Sequence, residues 1–150
     1  MPIQFLDSRT SEFSNTNTGV GVLPTTPTIL LGDIGLQVVA VIGTPNQTDV
    51  RVLLWGTVGV SGVAANEVTI TIERGGTGVS GSGTIIYTAT EDLLTGNNLI
   101  NVHAADFQPV VPGTGEIRYS MYAFNSGTGP AITITGPVAF GGHASAGTTP

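Results

Sequence analysis

The chain has no cysteine, which removes disulfides, thiolate metal sites and thiol nucleophiles together. It has no lysine either, so there is no side-chain amine for Schiff-base chemistry or a phosphate-binding P-loop. Its only basic residues besides two histidines are Arg9, Arg51, Arg74 and Arg118. With a net charge of -6, that excludes the basic footprint a nucleic-acid partner requires. Charged residues make up 9% of the chain, where a soluble domain carries about 25%. The surface must therefore be built from Thr, Ser, Asn, Gly and apolar groups, and such surfaces associate readily. No apolar run approaches the roughly 18 residues of a membrane span. The opening MPIQFLDSRTSEF lacks the apolar core of a signal peptide.

Catalytic vocabulary is equally sparse. His103 and His143 are the only histidines, and neither sits in an H-x-x-x-H or acid-His-Ser arrangement. Glu91, Asp92 and Asp106 fall in expected loops without the alternating acids of a calcium loop. One Trp, three Tyr and five Phe leave little from which to build a sugar-stacking cleft. The expectation is a non-enzyme with no cofactor and no metal. Gly76, Gly78 and Gly81 do spell G-x-G-x-x-G, the dinucleotide fingerprint, but that fingerprint needs a helix after it. Here TIIYTAT follows, a β-branched run that reads as a strand. The glycines are therefore expected to form a mobile loop at one end of a sheet. The sequon Asn46-Gln47-Thr48 follows Pro45 and is expected to be a turn.

What is present is one repeated pattern, a short β-branched run followed by a turn rich in Gly, Pro, Asn or Ser. Strands are expected at 2–6, 28–31, 35–42, 50–60, 67–74, 84–90, 98–104, 115–124 and 131–140. EDLLTG at 91–96 has room for one helical turn. Eight or nine strands without a helical period point to an all-β chain, an antiparallel two-sheet β-sandwich of jelly-roll type with about eight strands. Period two names its core faces: Val50, Val52 and Leu54; Val68, Ile70 and Ile72; Ile85, Tyr87 and Ala89; Ile100 and Val102; Ile117, Tyr119 and Met121; Ile132 and Ile134. The same alternation turns Leu53, Trp55, Tyr122 and Phe124 outward as candidate subunit contacts, unless twist or a bulge returns them to the core. Three segments follow: an arm or connector at 1–26, the sandwich at 27–141 and a flexible tail at 142–150. Ile3 and Phe5 in the arm either form the first strand of the domain or add a strand to a neighbouring copy.

LLWGTVGVSGVAANEVTITIERG, followed by GTIIYTAT and GEIRYSMYAF, resembles the Gly/Thr-rich β-proteins of the exosporium and spore surface of Bacillus and its relatives. The resemblance covers roughly residues 27–140. It implies kinship in style with two kinds of jelly roll: the tumour-necrosis-factor-like domains of collagen-like spore glycoproteins, which trimerise, and endospore appendage subunits, which polymerise through N-terminal connectors. The chain departs from the appendage subunits in lacking cysteine and from the glycoproteins in lacking a G-x-y repeat. The expected role is a non-enzymatic structural protein of the spore surface, made in the mother-cell cytoplasm. Its expected partners are further copies of itself, as a trimer before a filament, and other spore-surface proteins. Two other readings remain open, a viral or phage fibre or capsid decoration domain and a carbohydrate-binding module.

Overall fold

In residues 50–62 every second side chain is apolar. In the computed structural model, which describes residues 2–147, Val50, Val52, Leu54, Val58 and Val60 are buried while Leu53 and Trp55 face solvent. The same period-two logic builds nine strands: β1 (Gln4–Ser14), β2 (Gly21–Leu23), β3 (Ile29–Gln37), β4 (Val50–Gly62), β5 (Glu67–Arg74), β6 (Thr84–Asp92), β7 (Gly96–Phe107), β8 (Glu116–Asn125) and β9 (Ile132–Ala146). One sheet has the order β1-β9-β4-β7, with the short β2 also on β9, and the other has the order β3-β8-β5-β6. All pairings between strands are antiparallel. Omitting β2, they nest: β1 with β9, β3 with β8, β4 with β7 and β5 with β6. A long hairpin wound on itself in this way is a jelly roll, and between its sheets lies a single apolar core.

Several boundaries differ from expectation. The expected strands at 28–31 and 35–42 are one strand, β3, and Val39–Val41 is a 3-10 turn that tucks Val38 and Val41 into the core. The segment 91–96 forms no helix; β6 runs to Asp92, Leu93 is buried and β7 begins at Gly96. Pro45–Thr48 is a 3-10 turn capped by the Thr44 hydroxyl, and the sequon residue Asn46 is buried within it. The segment 1–26, expected as an arm or connector, contains β1, which pairs with β9 of its own chain, and β2, whose Leu23 is buried in the core; of the two alternatives for its start, Phe5 takes the first and lies in the domain's own first strand. Nor does a tail begin at 142. Residues 142–146 continue β9 between β1 and β4, with Ala144 and Ala146 buried; residues 148–150 of that segment lie outside the described residues. Gly and Ala give this stretch the look of a tail, yet packing demands them. A Cβ on Gly142 would stand 2.5 Å from Cδ2 of Leu54.

The core faces fall where alternation placed them, except at β6. A register shift between Ile72 and Glu73 slips Ile86 in as an extra residue, so Ile86 and Tyr87 pack toward the core and Ile85 is 57% exposed. Across the far end of the sandwich, Asp106 of β7 accepts hydrogen bonds from Arg74 Nη1 at 2.7 and 2.9 Å and from the Tyr119 hydroxyl at 2.9 Å. This joins the two sheets through three side chains, two of which, Asp106 and Tyr119, are buried.

The glycine-rich stretch 75–83 is the tip of the wound hairpin. Gly76, Gly78 and Gly81 all have φ between 82° and 87°, a region costly for other residues, which is why glycine recurs there. A strand follows and not a helix. The loop folds back instead of extending freely: Gly81 and Gly83 donate their amides to the buried Glu73 carboxylate at 2.6 and 3.0 Å, and Arg118 Nη1 donates to the Gly76 carbonyl at 3.3 Å. Backbone amides that a phosphate would need at Gly81 and Gly83 are held by a carboxylate of the chain itself.

Candidate self-association face

The outer face of the β1-β9-β4-β7 sheet can be built row by row from its register. Phe5, Ser145, Arg51 and Phe107 lie side by side, then Ser8, His143, Leu53 and Ala105, then Thr10, Gly141, Trp55 and His103. Leu53 is 50% exposed, Phe5 and Phe107 are each 65% exposed, and Leu99 extends the apolar surface along β7. Trp55 lies on Gly141, where a Cβ would come within 2.3 Å of Cζ2 of the indole. Glycine therefore lets one face of the ring rest on the sheet, and 38% of the residue remains open to solvent. Beside it, Leu53, Trp55, His103, Ala105 and His143 line a shallow apolar depression of about 460 Å³. The second and third of these rows carry no carboxylate and no arginine. The nearest cation on this face, Arg51, sits 5.7 Å from the Phe107 ring centroid and donates to the Gly147 carbonyl.

The opposite outer face is different in kind. Arg118 grips Asp33 through Nε at 2.9 and 3.1 Å and through Nη2, and the Ser120 hydroxyl donates to Asp33 at 3.0 Å. Burial pushes the Asp33 carboxyl up, but its bonds from Arg118 and Ser120 outweigh that and hold it below the usual range. Tyr122, expected to point outward into a contact, does lie off the core face, yet it is 1% exposed. β8 is an inner strand, with Leu30 of β3 and Thr71 of β5 directly opposite Tyr122, and the ring is closed in on this crowded surface. Burial pushes its phenol up. Phe124 on the same strand is half-buried.

Of the six candidate contact residues, the structure brings Phe5, Leu53 and Trp55 onto one face, keeps Ile3 exposed just ahead of β1, and puts Tyr122 and Phe124 on the other sheet. Sequence reading missed His103, Ala105, Phe107 and His143 on this face. Period two along β7 and a strand carried past residue 140 were the signals that hold them. Among the described residues, no group of three or more His, Asp or Glu side chains converges as a metal site. Trp55 has no tyrosine beside it, since Tyr119 and Tyr122 are buried and Tyr87 faces the core from β6.

No family model matches the chain, and no curated protein matches it. Among solved structures it is similar to Eiger TNF from S. frugiperda, at 14% identity and a TM-score of 0.51, over 93% of this chain and 92% of that one. The T13 IBDV viral particle matches at 15% identity and a TM-score of 0.49, over 93% of this chain but 34% of that one. Murine APRIL matches at 10% identity and a TM-score of 0.43, over 95% and 98% of the two chains. The chain is a jelly roll. At 14% identity the likeness to Eiger TNF speaks for the shared fold alone.

Proposed function

We propose that this jelly roll is a non-enzymatic structural domain that self-associates, burying the Leu53–Trp55 face of the β1-β9-β4-β7 sheet against another copy. The observation that carries the proposal is the concentration of exposed Phe5, Leu53, Trp55 and Phe107 on one face, where the Leu53 and Trp55 rows hold no acid and no arginine. Exposed aromatic and aliphatic groups gathered in this way are the composition of an interface core. The setting proposed is an exposed, close-packed layer, the bacterial spore surface, supported by the strand texture of residues 27–140, the low charge and the absence of lysine. The resemblance to trimerising spore glycoprotein domains makes a closed trimer the first assembly to seek.

Light scattering over a range of concentrations tests the association. The expected result is a mass above the 15.2 kDa of one chain, lowered by Leu53→Glu. A monomer at every concentration overturns the reading. So does a shift of Trp55 fluorescence on titration with sugars while the protein stays monomeric, which favours a glycan-binding module. Antibody labelling that finds the protein away from the spore envelope removes the setting and leaves the association standing.

A further inference from the structure

The long edge strands of the two sheets are not equally protected. On β3, the amides of Asp33 and Gln37 point away from β8 and are taken by side chains of β1, the Ser11 hydroxyl at 3.2 Å and the Asp7 carboxylate at 2.8 Å. β1 carries Asp7, Arg9 and Glu12 and is interrupted by two register shifts. β7 is guarded at its start, where Asn98 donates to the carbonyls of Leu94 and Gly96 and accepts from the Leu94 amide, and near its end by the inward-pointing charge of Asp106. Charges, bulges and capping side chains are the devices by which edge strands avoid pairing with other chains.

β6 has few of them along most of its length, its two acids, Glu91 and Asp92, both standing at its end. It pairs with β5 on one side, and no other strand pairs with its far side. Residues 84–90, TIIYTAT, hold no charge and no proline. The single register shift falls at Ile86, which leaves Tyr87–Asp92 regular. Among the described residues, no side chain hydrogen-bonds to the outward backbone groups of this strand. Its apolar residues are also poorly covered: Ile85 is 57% exposed, and Ile86 and Tyr87 are only partly buried although they touch the core.

We propose that β6 pairs antiparallel with β6 of a second copy about a two-fold axis, continuing the β3-β8-β5-β6 sheet across two molecules. The strand is self-complementary in that direction. A register centred on Thr88 sets Tyr87 of one copy opposite Ala89 of the other. It also places Glu91 and Asp92 at opposite ends of the ladder, whereas parallel pairing aligns acid with acid. The contact rests on the reading that the chain self-associates, but it uses a different surface from the Leu53–Trp55 face.

Thr88 is exposed and stands opposite its own copy in this register, so Thr88→Lys brings two like charges together without touching the core. The expected result is a contact weakened roughly fivefold or more, with Thr88→Asp doing the same and an equimolar mixture of the two variants regaining it. Hydrogen exchange at residues 84–92 should slow as protein concentration rises in the unaltered chain and in Leu53→Glu, but not in Thr88→Lys. If Thr88→Lys leaves both mass and exchange unchanged while Leu53→Glu yields monomers, the β6 contact is overturned and the face contact stands. If Leu53→Glu has the same mass as the unaltered chain and Thr88→Lys abolishes the association in both, the β6 contact stands and the face contact fails. Exchange at 84–92 independent of concentration, with no rescue on mixing, also overturns it.

Discussion

Asp106 and Tyr119 meet across the two sheets, the tyrosine hydroxyl donating to the carboxylate at 2.9 Å from a position that solvent does not reach. Burial, and then the charge of Asp106, push the phenol up, so it stays a donor. Tyr119→Phe removes one bond and leaves Asp106 paired with Arg74, which should lower stability by about 1–2 kcal/mol. Asp106→Ala strands both the hydroxyl and the guanidinium and should cost about 2–3 kcal/mol. Urea denaturation of the two variants checks both the order and the size.

Glu73 is 1% exposed and its carboxylate receives the Gly81 and Gly83 amides. Glu73→Ala should cost about 1–3 kcal/mol. It should also speed amide exchange within 75–83 while leaving the strands of the other sheet unaffected. Equal exchange in both proteins would show that the loop is held by something else.

The strands of this jelly roll were legible because one face of each is buried, and alternation from Val50 to Val60 or from Val68 to Ile72 reports that directly. What escaped were features set by neighbours in space. The bulge at Ile86 leaves no mark in β6 itself, so Ile85 was expected inside. Tyr122 reads as outward by parity, but whether an outward ring is exposed depends on the strands beside it. The Gly-Ala run of β9 resembles a tail because its side chains are small, and they are small because Trp55 and Leu54 fill the space above them. For the candidate face, Leu53 and Trp55 were visible from β4 alone, whereas His143 required knowing that β9 reached that far.

Gly141→Ala would put a methyl group into the Trp55 ring, and nothing on the backbone side can yield. The indole should tilt away, changing the fluorescence of the only tryptophan in the chain, and the apparent association should weaken. Unchanged fluorescence and unchanged mass would mean the ring does not rest on Gly141.

Asp33 and Asp7 both have folded values below the ordinary carboxylate value of 3.8. For each, burial raises the value, but hydrogen bonds lower it further, from Arg118 and Ser120 at Asp33 and from the Gln37 amide and Arg9 at Asp7. A depressed folded value stabilises the native state above the unfolded value and ceases to do so as pH falls through the folded one. Stability should therefore hold above about pH 4 and drop below it. Asp33→Asn should be less stable at neutral pH and flatter in acid, as thermal melts between pH 2 and 7 would reveal.

The nested pairing also sets an order of events. β5 and β6 meet across the short loop at 75–83, whereas Gln4 must find Ala146 at the other end of the chain. Closing distant contacts costs entropy before it yields any gain, so the chain should zip from the glycine tip outward, with β1 and β9 closing last. Pulse-labelled refolding that protects β1 before β6 would reverse that order. Until the last pair closes, the Gly-Ala strand at the centre of the candidate face has only part of its neighbours, so any assembly through that face should wait for the last step of folding.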